Sequence, residues 1–199
     1  MEGAAPSTSV TTIATSGTPI YFGQPVTFTA SVSSTSGTIP NGEAVTFYDG
    51  HPKDAVIIGS GTTSGGVATF TPSSMAVGTH YITAVYEGDA NFRSSHGSLN
   101  QVVQRYTTTT TITSSANPAC QHTYVTFTAT VTSDGGPTPT GKVYFTGIGY
   151  GTLSGGQASV TKYVQSAYTH FGVTPEYQGD AYNAPSRHPA LVEYVKYCE

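Results

Sequence analysis

A strand-like octapeptide occurs twice in this chain, and this repeat constrains the fold more than any other feature. The first copy is Pro25–Val32 and the second is Tyr124–Val131, ninety-nine residues later. Both copies alternate apolar residues with Thr or Ser, so a period of two places Val, Phe, Ala and Val on one side. Ninety-nine residues are too many for one unit of a solenoid. Each copy is therefore predicted to be the central strand of its own domain.

The composition is typical of a strand-rich protein with an uncharged surface. Of the 199 residues only 9% are charged, while the chain has 14 Tyr, 23 Gly and no Trp. Disorder is not indicated, because disordered chains usually combine high charge with few aromatic residues. A net charge of −4 gives no electrostatic reason to expect nucleic acid or an anionic membrane as a partner. No apolar run is long enough to predict membrane insertion of this segment.

Each half of the chain consists of short alternating segments separated by turn residues. The turn signals of the first half include Asp49-Gly50, Gly65-Gly66 and Gly88-Asp89. No stretch with the periodicity of an amphipathic helix is long enough to predict a helix. The pattern predicts an all-β chain made of two tandem Ig-like Greek-key β-sandwiches, each with short strands at intervals of about eight to twelve residues.

The domain boundaries follow from the same repeat. Residues 1–6 are expected to form a flexible N-terminus, and residues 7–104 to form the first Ig-like domain. Residues 105–107 contain neither Gly nor Pro and are expected to form a short, stiff junction. The second Ig-like domain then occupies residues 108–199.

The second half differs from the first in two places. Seventeen steps separate Phe47 from Ser64, but only nine separate the matching Phe145 from Ser154. The second domain is therefore expected to be shortened after its third strand and to have lost the short edge strand that follows. Pro175 lies within the strand that precedes the second Gly-Asp turn, so we expect a bulge or a broken ladder bond there.

Three segments of the first half carry a resemblance to a known family. They are Val26–Ala30, Val45–Gly50 and Gly78–Phe92, which read VTFTA, VTFYDG and GTHYITAVYEGDANF. They resemble the tandem bacterial Ig-like domains, in particular the group 3 type repeats of adhesins and large surface or secreted proteins. The resemblance covers nearly all of the first half and continues less completely through the second. It implies an extracellular module, usually a spacer, with no catalytic residue.

The sequence contains no motif that predicts catalysis, a cofactor or a metal site. The six His residues, at positions 51, 80, 96, 122, 170 and 188, lack the spacing of paired ligands on one strand or helix. The turns at Asp89 and Asp180 lack the alternating oxygen ligands of a calcium loop. Neither a Gly-x-Ser-x-Gly elbow nor a His-Glu-x-x-His helix is present. We therefore expect a protein that is not an enzyme and holds no cofactor.

Tyr is distributed unevenly between the two halves. Four Tyr precede the junction, one lies in it and nine follow it. Strand parity places Tyr144 and Tyr194 on the outside of a sheet that their two strands are expected to share. Because outward Tyr offers a large, stiff contact area with a hydrogen-bonding tip, both are candidate residues of a binding face. The face would take a protein or glycan ligand, or neighbouring copies of the chain. The alternative is that Tyr simply suits strands.

The two Cys residues of the chain, Cys120 and Cys198, both lie in the second half. Cys120 falls between the first two long strands of that domain, and Cys198 falls at the end of its last strand. These positions meet at one end of an Ig-like sandwich, so we expect a disulfide; two unrelated thiols are the alternative. A disulfide requires an oxidising compartment, which agrees with an extracellular or cell-surface location, with the signal sequence outside this chain.

Three functions fit these observations. The first is a non-catalytic structural or spacer module of an exported bacterial surface or secreted protein. The second is an adhesive binding module that uses the Tyr-rich face of the second domain. The third is an Ig-like protein on the surface of a phage or virion.

Overall fold

The computed structural model describes residues 5–51 and 53–199, and these form two compact units. The first unit ends at Gln104 and the second begins at Arg105. The described residues form strands and turns without a helix, so the chain is all-β as the sequence predicts. The described residues thus contain no helix that is long and apolar enough to cross a membrane. Most of the expected flexible N-terminus, residues 1–6, lies outside the described residues.

The strands of the first unit form two sheets. In chain order they are β1 (Val10–Thr15), β2 (Ile20–Tyr21), β3 (Phe28–Ser33), β4 (Ala44–Asp49), β5 (Val56–Thr62), β6 (Val67–Phe70), β7 (Gly78–Tyr86) and β8 (Ser95–Gln104). One sheet has the order β1-β3-β6 and the other the order β2-β8-β7-β4-β5. Neighbours are antiparallel except for β2 and β8, which are parallel. This strand order is that of an Ig-like sandwich.

The first copy of the repeated octapeptide lies at the centre of the three-stranded sheet. Its apolar side, Val26, Phe28, Ala30 and Val32, is buried, whereas the alternating Thr and Ser side chains are partly or fully exposed. The buried side chains belong to one hydrophobic cluster with residues of the facing sheet, which include Val45, Phe47, Ile82, Ala84 and Tyr86. The period of two read from the sequence therefore places the core between the two sheets.

The second unit has a corresponding set of strands. They are β9 (Thr108–Ser114), β10 (Ala119–Cys120), β11 (Thr123–Ser133), β12 (Lys142–Phe145), β13 (Gly149–Thr152), β14 (Gln157–Val164), β15 (Thr169–Val173), β16 (Pro175–Tyr177), β17 (Ser186–Arg187) and β18 (Leu191–Lys196). Their sheets have the orders β14-β11-β9, β13-β12-β16-β17 and β10-β18-β15. The second copy of the octapeptide is in β11, and its Val125, Phe127, Ala129 and Val131 are buried in this unit's hydrophobic cluster.

A strand that is continuous in the first unit is broken at Pro175 in the second. β15 ends at Val173 and pairs with β18, whereas β16 begins at Pro175 and pairs with β12. Proline has no N–H to donate to a ladder, so the sequence predicts this break. The break also separates β12, which carries Tyr144, from β18, which carries Tyr194. The prediction that these two strands share one hydrogen-bonded sheet is therefore wrong.

The edge strand after β12 is present, although shorter than its counterpart. β13 has four residues and pairs with β12 throughout, while β5 of the first unit has seven. The expectation that the second domain has lost this strand is wrong, because the missing residues come from the strand ends and the connecting turn. Keeping the strand leaves no unpaired backbone on that side of β12.

The chain between the units is bonded to the second unit from Tyr106 onward. The Tyr106 N–H donates to the Tyr182 carbonyl and the Ala184 N–H donates to the Tyr106 carbonyl, both at 2.8 Å. The Asp134 N–H donates to the Thr107 carbonyl at 2.9 Å. Two of the three residues expected to form the junction, 105–107, are thus part of the second unit's hydrogen-bond network.

Candidate functional site

Tyr144 and Tyr194 both point away from the core of the second unit. Tyr144 is half-buried between the buried Val143 and Phe145, and Tyr194 is 56% exposed. Each has its own aromatic neighbour across a strand pair: the Tyr144 ring lies 4.9 Å from that of Tyr150, and the Tyr194 ring lies 5.9 Å from that of His170. The structure thus gives two aromatic pairs on separate sheets and no direct contact between the two predicted residues.

Exposed Tyr is confined to the second unit within the described chain. The Tyr residues that expose more than a third of their surface are Tyr124, Tyr150, Tyr163, Tyr168, Tyr182, Tyr194 and Tyr197. The two predicted positions are therefore part of a larger set. Tyr124 and Tyr163 form a further ring pair, 5.0 Å apart, on the outer side of the β14-β11-β9 sheet. Sequence reasoning missed this pair because it depends on the register between β11 and β14, in which Tyr124 lies opposite Tyr163.

A disulfide joins Cys120 and Cys198, whose Cα atoms are 5.5 Å apart. Cys120 ends β10, which pairs in parallel with β18, and Cys120 lies opposite Lys196 in that register. The Gln121 N–H continues the pairing by donating to the Lys196 carbonyl at 2.9 Å. The bond therefore fastens the first part of the second unit to its last strand.

The two Gly-Asp turns bind their own backbone. In the first unit, Asp89 Oδ1 accepts hydrogen bonds from the N–H groups of Asn91 and Phe92 at 2.7 and 2.6 Å. Gly88 before it has a φ of 83° and would place a Cβ 2.7 Å from backbone atoms, so the turn requires glycine. The carboxylate thus satisfies the turn, as in an Asx-type turn, and needs no metal ion. Among the described residues no cluster of three His, Cys, Asp or Glu that could hold a metal ion is found.

The corresponding Asp180 has more hydrogen-bond donors than Asp89. Its Oδ1 accepts from the Tyr182 and Asn183 N–H groups, and its Oδ2 from the Thr140 N–H, the Thr140 hydroxyl and the Asn183 amide. Burial alone would raise the pKa of Asp180, but the hydrogen bonds from Thr140 and Asn183 lower it below its usual range. Nearby, burial and the Asp180 charge raise the pKa of the Tyr177 hydroxyl. The hydrogen bonds to Asp180 thus hold the turn together.

Two of the His residues, His80 and His51, make local contacts within the first unit. His80 Nδ1 lies 2.6 Å from Asp49 Oδ2, and its Nε2 lies 2.9 Å from the Ala76 carbonyl. This pair could not be predicted from the sequence, because Asp49 and His80 come from β4 and β7 and meet only through the sheet register. The His51 ring stacks on the Tyr81 ring at 4.7 Å.

One buried carboxyl side chain stands out among the polar groups of the second unit. Glu193 is completely buried in β18, and neither of its carboxyl oxygens has a hydrogen-bond partner in the described chain. Burial raises the pKa of Glu193. The Ser114 hydroxyl and the Ala119 N–H lie near enough to oppose that rise in part, although neither has hydrogen-bond geometry to the carboxyl oxygens. Sequence reasoning did not select this residue, because one Glu in a strand of alternating residues is usually solvent-exposed.

The first unit matches the model of a known family. A family model described as a bacterial Ig-like domain (group 3) matches residues 7–104. No curated protein matches the chain. The fibronectin(III)-like modules of Clostridium thermocellum CbhA are 19% identical, with 93% of this chain and 94% of that chain covered and a TM-score of 0.38.

Two further solved structures are similar at the same level. The Escherichia coli adhesin FdeC is 16% identical over 93% of this chain and 63% of that chain, with a TM-score of 0.37. The D0-D1 domain of intimin is 17% identical over 94% of this chain and 97% of that chain, with a TM-score of 0.34. At such identities and scores these likenesses carry no information about activity or partners.

Removing the disulfide is expected to destabilise the second unit alone. Its two Cys residues are 78 positions apart, and closing a loop of that size restricts the unfolded chain by about 4 kcal/mol. The C120S/C198S variant should lower the free energy of unfolding of the second unit by about that amount, seen as a lower denaturant midpoint at an unchanged slope, and leave the first unit unchanged. Thiol titration of the unfolded, unreduced wild-type protein is the control; two titratable thiols per chain would contradict the bond.

Proposed function

We propose that the chain is a non-catalytic structural module, a spacer, of an exported bacterial surface or secreted protein, because residues 7–104 match the model of a bacterial Ig-like domain (group 3). The family match is the observation that carries this proposal. The matched model describes an Ig-like domain and indicates no enzymatic family. The resemblance of the sequence to repeats of adhesins and large surface proteins supports the same role.

We regard the second unit as the same kind of module, placed in tandem with the first. Three repeated features support this assignment. The buried octapeptide is central in β3 and in β11, the Gly-Asp turn recurs at Asp89 and at Asp180, and a short parallel strand lies beside the last strand in each unit.

The parallel strand pairs suit a module that is pulled from both ends. In the first unit β2 lies beside β8, with Ile20 opposite Val103. In the second unit β10 lies beside β18, with Ala119 opposite Val195. When a chain is pulled at its two ends, such a pair is sheared along its length, so its hydrogen bonds resist together instead of opening one by one. The disulfide adds a covalent link to the pair in the second unit.

An extracellular or cell-surface location follows from the same proposal. Disulfides persist in oxidising compartments and are rare in the cytosol of most bacteria. The bond between Cys120 and Cys198 is therefore compatible with export. The low charge of the chain, 9% of residues, and its abundant Thr and Tyr give it an outer surface that is polar but mostly uncharged.

Pulling the chain by its ends in single-molecule force measurements tests the spacer role. We expect the first unit to extend in one discrete, reversible step. The oxidised second unit should release little length, because the 78-residue separation closed by the disulfide cannot extend. The C120S/C198S variant should add roughly 270 Å to that release, at about 3.5 Å per residue. Gradual extension without discrete steps would contradict a structural module that carries tension.

An adhesive role is a second candidate, favoured by the exposed Tyr residues of the second unit. The pairs Tyr144–Tyr150 and His170–Tyr194 present aromatic rings on the outer sides of their sheets. Aromatic side chains with a polar tip are enriched at binding surfaces, where they bury a large area at low entropic cost. A protein, a glycan or a neighbouring copy of the chain could contact these rings.

The double variant Tyr144→Ala/Tyr194→Ala tests this candidate. If these rings bind, the variant should lose self-association or glycan-array binding, while its melting temperature stays nearly unchanged. Tyr124→Ala/Tyr163→Ala, on the other sheet, is the matched control and should retain binding. Binding that persists in the first variant, or unfolding of that variant, would reject these residues as a binding face.

A further inference from the structure

Glu193 is an acidic side chain in a buried environment that favours a neutral group. It lies between the outward-facing Val192 and Tyr194 and points into the second unit, where it is completely buried. Neither carboxyl oxygen has a hydrogen-bond partner within the described residues. An ionised carboxylate there loses its hydration and receives no equivalent contact in return, whereas the protonated form carries no net charge to solvate.

The neutral side chains around Glu193 offer little compensation. In the ladder it faces Phe171 of β15. The Ser114 hydroxyl at the end of β9 is the nearby side-chain donor, but it is directed to the Ala116 carbonyl at 3.0 Å. On β10 the Ala119 N–H is the nearby backbone donor, but it has no hydrogen-bond geometry to the carboxyl oxygens. The inward residues of β11, such as Phe127, are apolar.

The charged and titratable groups near this strand are engaged elsewhere. Lys162 of β14 lies 5.3 Å from the centre of the Phe171 ring and 3.5 Å from the Gly147 carbonyl. It makes no ion pair with Glu193 among the described residues. The His170 ring lies 5.9 Å from the Tyr194 ring, on the opposite, outer side of the sheet. Lys196 is exposed at the end of β18.

The first unit has a neutral amide at the matching position. Gln101 lies two residues before Val103, which pairs with β2, just as Glu193 lies two residues before Val195, which pairs with β10. Gln101 is also completely buried, but its amide is satisfied. Its Oε1 accepts from the Thr15 hydroxyl at 2.6 Å and its Nε2 donates to the Val102 carbonyl at 3.1 Å.

We propose that Glu193 makes the docking of β18 depend on a proton. With the carboxyl group neutral, β18 stays packed on the second unit; when the group ionises, the strand loosens locally. Cys198 remains bonded to Cys120, so the loosened strand stays tethered and can dock again. The first unit, with Gln101 in the same place, lacks this response.

The direction of the effect follows from linkage. Burial raises the pKa of Glu193 in the folded state above its unfolded value of about 4.3. Below that value the carboxyl is protonated in both states and the stability of β18 is complete. As the pH rises toward and through the folded-state pKa, stability is lost, by a factor of at most about ten per pH unit.

Asp180 responds to pH in the opposite sense. Its pKa is lowered in the folded state, so its contribution is lost only as the pH falls below the range in which a free Asp ionises. A comparison of wild type with a Glu193 variant cancels this contribution.

The loosening of β18 also changes the outer surface of the second unit, because Tyr194 lies on β18 and its ring neighbour His170 lies on β15.

Hydrogen exchange of the full, disulfide-bonded chain at pH 5 and pH 8 tests the proposal, after correction for the intrinsic exchange rates. Wild-type peptides covering β18 should lose about tenfold or more of their protection between the two pH values. In E193Q that loss should disappear. The matched control E176Q changes a half-buried Glu in β16 of the same unit and should keep the wild-type response.

The reciprocal variant Q101E should transfer a pH-dependent loss of protection to β8 of the first unit. An unchanged pH response of β18 in E193Q would overturn the proposal. That comparison decides the question even where Q101E does not fold, because E193Q replaces a buried acid by the amide that the first unit already accommodates.

Discussion

The burial of one side of a repeated strand is the constraint on which the rest of the structure depends. In β3 and β11 the side chains of Val, Phe, Ala and Val alternate with Thr and Ser, and the apolar ones are almost completely removed from water. A slip of one residue in either strand would turn those side chains to the surface and Thr into the core. The register of the flanking strands, and hence the places of the turns and of the disulfide, follows from this alternation.

The two units share a similar arrangement of strands but have different polar groups at matched positions. Gln101 in β8 is hydrogen-bonded by Thr15, whereas Glu193 in β18 has no partner for its carboxyl oxygens in the described chain. Likewise the first unit has Phe92 after its Gly-Asp turn, and the second has the buried Asn183, whose amide donates to Pro137 and Asp180. Among the described residues the second unit has more buried polar side-chain atoms without a hydrogen-bond partner, and it also has the disulfide, which is consistent with a covalent bond that offsets a weaker core.

Sequence patterns predicted the features that depend on alternation and on turn chemistry. The all-β fold, the inward octapeptide and the break at Pro175 all follow from side-chain period or from the missing N–H of proline. Features that depend on which strands pair could not be predicted as well from the sequence. The prediction that Tyr144 and Tyr194 lie on one sheet was wrong, because the break at Pro175 divides that sheet in two. The ring pair Tyr124–Tyr163 and the burial of Glu193 depend on register, which a single strand does not reveal.

The central claim is that each copy of the repeated strand holds a core of its own. Phe127→Ala tests it directly, because Phe127 is completely buried in the second unit's cluster and its removal should cost about 3–5 kcal/mol. Hydrogen exchange of both units in the same chain measures the effect. We expect β11 and β12 to lose protection while β3 and β4 keep theirs, and Phe28→Ala to give the reverse. An equal loss of protection in both units after either substitution would contradict two separate cores.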